Sequence, residues 1–492
     1  MEQSSDSGKD LKRASVHAGA WAVFGSAFSS LVGMLVFMFL SKLVTPEEIG
    51  VVAIVDVVLG LGLRALSTGL TEPLVQFPRL ERKHIDTLFW AILLFGWILC
   101  LLMMQTSSTI AQFFHYPALS NMLAVSGITL YMQAMVLVPQ ALLARDMQFA
   151  TIARASIQSD WISGLVAITA ALAGVGVWAL ILQRLVQTFL NLCFVVFATR
   201  FSPQLQYSQK HFRELIGFSA SRLADNFVLY CDQNAPRFLL GYFAGPAALG
   251  YFAFARNISD SVLKTLSMPI RTIALSTLSK VQSDTLRVRA IYNSGLSFTA
   301  GLLAPCGVGV ACIAPEIVEF FGAKWSEATF LIQLLAIASL RNIFQVWNAS
   351  ILRALGFPRA LLMLTLLRAV TSFTLSWLLL PYGAIGVCWA IQISGFLTSP
   401  FAMSVTRTTL KMRWWEQIKP AVPPFLAAAC MALCLTICRI WFLDHLPLYF
   451  RSVLLVLIGC ASYLTFTFFI DRTALATWAH YFTVMLKGRV SS

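Results

Sequence analysis

Long apolar segments recur along almost the whole chain and are separated by short polar stretches. A helix that crosses the hydrocarbon layer of a membrane needs about 20 mostly apolar residues. Fourteen segments have this length and character, and they cover residues 18–40, 49–71, 86–105, 119–143, 155–173, 177–199, 214–243, 247–276, 293–313, 328–351, 360–380, 384–405, 421–441 and 450–470. The pattern predicts an all-α polytopic membrane protein, and its short loops leave no room for a large external catalytic domain.

The composition agrees with this prediction. Hydrophobic residues make up 58% of the 492 residues and charged residues only 12%, whereas soluble domains carry roughly 25% charged residues. The formal net charge of +14 would suggest nucleic acid as the partner of a soluble protein. In a membrane protein, however, Lys and Arg collect in the cytoplasmic loops, so their distribution has to be considered first.

The basic residues predict the orientation of the chain. If the N terminus is cytoplasmic, the even-numbered loops and both tails carry most of the Lys and Arg residues. The opposite loops carry only Lys42, Lys324, Arg439 and Arg451. This asymmetry predicts that both termini are cytoplasmic, and it explains most of the basic excess without nucleic acid binding.

Four short matches occur in the same order in the two halves of the chain, which predicts an internal repeat. They pair Pro46, Ile49 and Gly50 with Pro246, Leu249 and Gly250; Ile110, Phe113 and Phe114 with Ile317, Phe320 and Phe321; Arg145 and Phe149 with Arg353 and Phe357; and Gly176–Ala179 with Gly386–Ala390. Chance similarity among apolar helices is the alternative explanation. Because each repeat contains an even number of spans, the two repeats are parallel.

This repeat predicts the domain organisation. An N-terminal six-helix half covers residues 1–200, a cytoplasmic linker covers 201–213, and a second six-helix half covers 214–405. Residues 406–492 supply two extra transmembrane helices and a cytoplasmic tail. The expected architecture is therefore about 14 transmembrane helices, as two parallel six-helix repeats followed by two C-terminal helices.

Four stretches of the chain resemble the Wzx-type flippases, the polysaccharide-transporter branch of the multidrug/oligosaccharidyl-lipid/polysaccharide exporter superfamily. The stretches are Leu40–Gly50, Pro139–Phe149, Gly241–Tyr251 and Ile351–Gly356. The resemblance extends over essentially the whole chain, and it implies a V-shaped central cavity between the two halves. It also implies a location in the bacterial inner membrane.

The resemblance also implies a function. It suggests that the protein flips an undecaprenyl-diphosphate-linked oligosaccharide repeat unit, expected to be acidic, from the cytoplasmic to the periplasmic leaflet. This step serves exopolysaccharide, capsule or O-antigen assembly. Alternating access of the two helical halves would move the head group. The implied partners are the lipid-linked oligosaccharide and membrane lipids, with a glycan polymerase and a chain-length regulator as further candidates.

Ionisable residues in the interior of the spans are the main candidates for function. Each costs at least ~2.5–3.5 kcal/mol at the centre of the membrane, so it normally faces a wet cavity or a partner. We single out eight basic residues, Arg64, Arg184, Arg222, Arg237, Arg256, Lys264, Arg341 and Arg368, and five acids, Asp56, Asp160, Asp225, Asp232 and Asp260. The basic excess favours an anionic cargo, because guanidinium groups match the oxygens of phosphate and carboxylate.

A subset of these residues, together with neutral polar neighbours, forms the predicted substrate site. The candidates are Arg184, Arg222, Arg237, Arg256, Arg341, Arg368, Asn226, Gln233 and Asn234. Two of the arginines have acids one helical turn away, Asp225 and Asp260, and these pairs have a structural explanation as well. Arg64 and Lys264 have the alternative of extending to the membrane surface.

No cofactor or metal is expected, but coupling to H⁺ or Na⁺ is a hypothesis. The candidate coupling residues are Asp56, Asp160, Asp225, Asp232 and Asp260, with Asp225 and Asp232 the leading ones. The alternative function is a cation-coupled multidrug or small-molecule exporter of the same superfamily. An enzyme of glycan assembly is not expected, because no His accompanies a nucleophile motif and no large external loop is present.

Overall fold

The computed structural model describes residues 25, 28–67, 71, 74, 80–338, 340–443 and 445–472. The side chains of residues 211–225, 262, 264, 265, 269, 358 and 442 lie outside this description. Across these ranges the regular elements are helices, and no β-strand occurs. The chain forms two compact units, Met1–Gly250 and Tyr251–Ser492.

Seven helices lie within the first unit. Helices α1 to α7 cover Phe28–Leu43, Pro46–Ser67, Arg82–Phe113, Leu119–Arg145, Phe149–Leu172, Trp178–Thr199 and Gln209–Leu239. A π-helical turn, Leu240–Ala244, connects α7 to α8, which covers Gly245–Lys280. The second unit contains most of α8 and helices α9 to α17, at Thr285–Cys312, Ala314–Phe321, Ala328–Ala338, Leu340–Ala354, Pro358–Leu378, Gly383–Leu410, Trp414–Ile418, Val422–Cys438 and Leu448–Ile470.

The prediction of an all-α polytopic membrane protein is confirmed. Each predicted segment overlaps helical residues, and eleven helices among the described residues are long and apolar enough to cross a membrane. Helix α5 is not one of them, because polar residues such as Gln158 and Asp160 interrupt its apolar sequence. One continuous stretch, Asn226–Ser261, joins two predicted spans. The number of fourteen therefore stays a prediction.

Glycines allow the helices of the first unit to pack closely. A Cβ atom added to Gly96 on α3 would lie 2.4 Å from the Cβ of Ala134 on α4. A Cβ added to Gly164 on α5 would lie 2.5 Å from a methyl carbon of Val36 on α1. Small residues at such crossings let membrane helices approach each other and gain van der Waals contact.

The closest of these contacts joins the two copies of the predicted repeat motif, at the start of α2 and the start of α8. A Cβ on Gly50 would lie 1.7 Å from the carbonyl oxygen of Pro246, and a Cβ on Gly250 would lie 1.8 Å from that of Pro46. The two contacts are reciprocal, as expected for a two-fold relation. Only glycine fits at either position while the helix starts remain in contact.

The chain between α6 and α7 is held against the start of α3. The backbone N–H of Gln204 donates to Oδ1 of Asp86 at 3.2 Å, and the N–H of Ser208 donates to Oγ1 of Thr87 at 3.1 Å. The indole N–H of Trp90 donates to the Gln204 carbonyl at 2.8 Å. The predicted cytoplasmic linker, residues 201–213, therefore begins as an ordered segment bound to the first unit.

The second unit has one large apolar core that includes the extra C-terminal helices. Ala427 and Met431 of α16 and Leu455 of α17 share this core with Ala300 and Leu303 of α9. A hydrogen bond adds to the contact, because the hydroxyl of Tyr463 on α17 donates to the carbonyl of Gly301 at 2.9 Å. The two extra helices are thus packed onto the second unit.

An ion cluster also attaches the C-terminal helices. Glu316 on α10 is 1% exposed, and its Oε1 lies 3.3 Å from Nε of Arg439 and 3.4 Å from Nε of Arg451. Glu319 forms a second ion pair with Arg451. Four basic residues lie in the loops opposite the predicted cytoplasmic side. Two of them, Arg439 and Arg451, therefore have acidic partners.

The glycine contact predicts the effect of small substitutions. Gly50→Ala and Gly250→Ala should each separate the starts of α2 and α8, because the added methyl would overlap a backbone oxygen. Spin labels at positions 47 and 247, which are exposed, would measure the change in a variant without the native cysteines. We expect the label distance to grow by about 2 Å or more, the increase needed to restore a normal contact.

The control for this experiment is Gly309→Ala, because an added Cβ meets no atom within 4 Å there. That variant should leave the label distance unchanged. An unchanged distance in both Gly50→Ala and Gly250→Ala would show that the reciprocal contact does not hold the helix starts together.

The ion cluster predicts a loss of stability in Glu316→Gln. The substitution leaves the guanidinium of Arg451 in a mostly buried position with less negative charge beside it. Breaking a buried ion pair from one side typically costs about 3 kcal/mol, so thermal unfolding of the purified protein should begin several degrees lower. Glu319→Gln is the matched control, because Glu319 is 54% exposed and exposed pairs contribute about 0–1 kcal/mol. Equal losses for both variants would contradict this assignment.

Candidate functional site

A polar network in the first unit begins with an ion pair between α2 and α6. The guanidinium of Arg184 donates a hydrogen bond to Oδ1 of Asp56. The two side chains are 34% and 37% exposed, so the pair is accessible to water. The predicted substrate residue Arg184 and the predicted coupling residue Asp56 therefore lie together, although 128 residues separate them in the sequence.

The network continues one helical turn further along α6. Nε2 of Gln187 donates to Oδ1 of Asp160 on α5 at 2.5 Å. The hydroxyls of Ser29 and Ser156 also hydrogen-bond to Asp160, and their Oγ atoms lie 3.1 Å apart. Among the described residues, the groups that contact this buried carboxyl are neutral, in contrast to the guanidinium beside Asp56.

Two of the predicted substrate residues on α7, Asn234 and Arg237, have partners within their own helix. Nδ2 of Asn234 donates to the carbonyl of Tyr230 at 3.0 Å, and Nη1 of Arg237 lies 3.5 Å from Oδ1 of Asn234. The hydroxyl of Tyr230 donates to the carbonyl of Val57 on α2 and joins the two helices. Asp232 is buried at 9% exposure.

Two further predicted substrate residues on α7, Asn226 and Gln233, are half-buried. The side chains of Arg222 and Asp225 lie outside the described residues, so their predicted pair stays a prediction. Pro236 lies within α7 and is buried.

In the second unit, Arg256 and Asp260 form the pair that their spacing predicts. Nε of Arg256 lies 3.4 Å from Oδ2 of Asp260, one turn further along α8. The same guanidinium lies 5.9 Å from the centroid of the Phe252 ring, within the range of a cation–π contact. Both charged side chains are partly exposed, at 22% and 33%.

Arg341 on α12 contacts the backbone of α14. Its Nη1 donates to the carbonyl of Ile391 at 3.2 Å. The guanidinium also occupies the space that a side chain at Gly395 would need, because an added Cβ would lie 0.9 Å from Nη1. These contacts give Arg341 a role in joining two helices as well as a charge.

The remaining intramembrane candidates are distributed along α2, α8 and α13. Arg64 is exposed near the end of α2, and the side chain of Lys264 on α8 is outside the described residues. Arg368 on α13 is half-buried. Within the described part of the chain, no group of three or more His, Cys, Asp or Glu side chains could hold a metal ion.

Several polar residues at these places are absent from the predicted set. They are Ser29, Ser156 and Gln187, which surround Asp160. Helical spacing offers a partial signal, because Gln187 follows Arg184 by three residues and Ser156 precedes Asp160 by four. The contacts from other helices have no counterpart in local sequence.

The chain matches the protein family described as polysaccharide biosynthesis protein over residues 39–330. Among its relatives is the succinoglycan biosynthesis transport protein ExoT of Rhizobium meliloti, 22% identical over 450 residues, which covers 90% of this chain and 89% of the relative. Another is the lipopolysaccharide biosynthesis protein WzxC of Escherichia coli, 21% identical over 420 residues, with coverage of 80% and 81%.

Two solved structures show the same fold. The lipid II flippase MurJ, in an inward closed conformation, aligns with a TM-score of 0.76 and 16% identity, covering 92% of this chain and 99% of MurJ. An inward-facing multidrug resistance transporter of the MATE family aligns with a TM-score of 0.64 and 12% identity, covering 78% of this chain and 94% of that one. At these identities the similarity establishes the fold.

Proposed function

The chain belongs to the polysaccharide biosynthesis protein family, and from this premise we propose that it flips a lipid-linked oligosaccharide across the bacterial inner membrane. The proposed substrate is an undecaprenyl-diphosphate-linked repeat unit, moved from the cytoplasmic to the periplasmic leaflet. The family match over residues 39–330 carries the proposal. The relative ExoT, named as a transport protein for succinoglycan biosynthesis, supports the transport step.

The polar residues inside the helices fit the physical problem of this reaction. A sugar head group loses its hydration in hydrocarbon unless polar groups or water replace it. The accessible pairs Asp56–Arg184 and Arg256–Asp260 supply such groups on helices that are long and apolar enough to cross a membrane. The lipid tail needs no polar surface, so it can remain in the bilayer while the polar residues contact the head group.

The charge of the cargo is the finer part of the proposal. Arginine carries a planar, permanently charged group with paired N–H donors, which binds phosphate and carboxylate oxygens in a bidentate manner. The candidate residues in the span interiors are eight basic and five acidic residues. An acidic repeat unit on a diphosphate carrier is therefore the proposed cargo. A glycan polymerase and a chain-length regulator are the proposed proteins that act after flipping.

A cation-coupled small-molecule exporter is the second candidate, because a MATE-family multidrug transporter shares the fold. The basic excess inside the spans is unfavourable for cationic drugs, which are repelled by arginine. Drug resistance conferred by the wild-type protein, together with normal polysaccharide synthesis after gene deletion, would support this alternative over flipping.

We further propose that transport is coupled to H⁺ or Na⁺ and that Asp160 binds the ion. Asp56 already has the charge of Arg184 beside it. Asp160 is buried at 8% exposure, and its hydrogen-bond partners Ser29, Ser156 and Gln187 are neutral. A buried carboxylate without a cationic neighbour is stabilised by a bound cation, so this site can take up the coupling ion. Asp225 and Asp232 stay further candidates.

Analysis of lipid-linked oligosaccharides after gene deletion tests the main proposal. Deletion should cause the intact repeat unit to accumulate on the cytoplasmic leaflet, and the mature polysaccharide should be lost. The wild-type gene on a plasmid should reverse both effects. Continued synthesis of the polysaccharide with no accumulated intermediate would contradict the flippase assignment.

Asparagine substitutions test the coupling proposal in vesicles with an imposed H⁺ or Na⁺ gradient. Asp160→Asn should reduce the acceleration of transport by the gradient at least tenfold relative to the wild-type protein, because the neutral amide takes up no proton and lacks the negative charge that attracts Na⁺. Asp56→Asn should transport more slowly but retain acceleration by the gradient.

The control for this experiment is Asp146→Asn, at the exposed end of α4, which should behave as wild type. Full gradient-driven acceleration in Asp160→Asn would rule out Asp160 as the coupling residue.

A further inference from the structure

Aromatic side chains from two distant parts of the first unit pack together around the end of α3. The rings of Phe113 and Tyr242 stack with their centroids 4.4 Å apart, and Phe243 meets Tyr242 edge to face at 4.5 Å. The ring of Phe238 lies 6.1 Å from that of Phe113 and 5.5 Å from that of Phe114. The π-helical turn between α7 and α8 carries two of these rings, and such turns are frequent at functional sites. We call Phe113, Phe238, Tyr242 and Phe243 the aromatic surface.

Most of the aromatic surface is exposed and has polar side chains beside it. Its three phenylalanines are 38–50% exposed. Gln112 and His115, which lie on either side of Phe113 and Phe114 in the sequence, are exposed as well. The imidazole of His115 lies 6.1 Å from the ring of Tyr242, centroid to centroid. Exposed aromatic faces therefore lie next to groups that donate and accept hydrogen bonds.

The length of α3 places the aromatic surface beyond the hydrocarbon layer. The helix contains 32 residues. At about 1.5 Å per residue it is about 48 Å long, whereas the hydrocarbon layer is about 30 Å thick. Phe113 lies eight residues after the predicted span 86–105, and it follows the polar run Thr106–Thr109. By the predicted topology this end of α3 faces the periplasm. An exposed apolar patch outside the hydrocarbon layer is typical of a binding surface.

The matching place in the second unit is more enclosed. Phe320 and Phe321 correspond to Phe113 and Phe114 in the predicted repeat. Phe321 is buried, and the half-buried Phe320 meets Tyr449 of α17 edge to face, with the ring centroids 6.1 Å apart. Helix α17 is one of the two helices outside the predicted repeat, so the repeat has no counterpart of it in the first unit. The aromatic surface is therefore exposed where its counterpart is partly covered.

The residue that follows these phenylalanines also differs between the two repeats. Gly322 has a φ of +103°, and His115 at the matching position has a φ of +56°. A positive φ costs glycine little, whereas a residue with a Cβ adopts it at the expense of stability. The first repeat thus places an imidazole beside the aromatic surface although glycine fits the backbone better. Unfavourable backbone conformations of this kind cluster at ligand-binding places.

We propose that the aromatic surface, together with Gln112 and His115, binds a sugar ring of the oligosaccharide head group on the periplasmic side. The source of this sugar rests on the proposed function, whereas the preference for a sugar follows from the side chains present. One face of a pyranose ring presents C–H groups, and its edge presents hydroxyls. Aromatic rings contact the C–H face, while amide and imidazole groups hydrogen-bond to the hydroxyls. An acyl chain would use only the apolar rings.

Sugar binding to the purified full-length protein in nanodiscs tests the proposal. The probes are oligosaccharides made by partial acid hydrolysis of the polysaccharide of the host strain, and sorbitol, which has hydroxyls but no ring. Saturation-transfer NMR with irradiation of the protein's aromatic protons detects sugar C–H groups that contact the rings. We expect transfer to the oligosaccharides and none to sorbitol. Phe113→Leu and Phe243→Leu should each weaken oligosaccharide binding about fivefold, because leucine keeps the apolar bulk but has no ring face.

Further variants separate a ligand site from a structural role. Phe243→Tyr keeps the ring and should retain the affinity of the wild-type protein. His115→Gly should weaken oligosaccharide binding, while the Tm of the ligand-free protein stays unchanged or rises, because glycine suits the positive φ. Phe197→Leu is the matched control, since this exposed phenylalanine near the end of α6 faces the cytoplasm in the predicted topology. It should leave sugar binding unchanged.

Three results would overturn the proposal. The first is unchanged oligosaccharide affinity in both Phe113→Leu and Phe243→Leu, which would leave these rings as anchors at the membrane surface. The second is equal saturation transfer to sorbitol and to the oligosaccharides, which would show contact without recognition of a ring. The third is a Tm lowered by several degrees in His115→Gly, which would show a structural histidine.

The same experiment keeps this proposal separate from the flippase assignment. A wild-type protein that flips the oligosaccharide, with leucine variants that bind sugar as well as it does, would reject the sugar site and leave the flippase assignment intact. A wild-type protein that binds the oligosaccharides through these rings but flips none would reject the flippase assignment and keep the sugar site.

Discussion

The low polarity of the membrane interior determines where this protein can place charge. A charged side chain there needs an opposite charge, a set of hydrogen bonds or access to water. Arg184 meets Asp56, and Arg256 meets Asp260 one turn further along its helix. Arg341 binds a backbone carbonyl of another helix. These contacts offset the cost of placing polar residues within the helices.

The polar contacts between helices require that the helices approach each other closely. Because the bilayer core contains almost no water, little hydrophobic driving force acts between helices there, and close approach with van der Waals contact holds them together. Gly96 and Gly164 allow such approaches within the first unit, and the reciprocal contacts of Gly50 and Gly250 join the starts of α2 and α8. The C-terminal helices rely on apolar contacts and on the buried carboxylate of Glu316.

Local pattern predicts some of the candidate site but misses its tertiary contacts. The spacing of Arg256 and Asp260 predicts their pair, because residues four apart lie on one helix face. The pair of Arg184 and Asp56 joins different helices, and no local spacing encodes it. Arg271 is different, because it is a basic residue within the predicted span 247–276 and the span pattern could have included it in the predicted set.

The sequence alone determines that the chain is a bundle of apolar helices, because a hydrocarbon layer admits few other structures. It also determines the basic bias of the loops and the approximate position of each helix. Only the tertiary structure decides which charges are neutralised and which remain available. Asp160 receives neutral hydrogen bonds, whereas Asp56 receives a guanidinium. This difference depends on helix crossings, where residues distant in sequence come within a few ångströms, and side-chain charge acts over that distance.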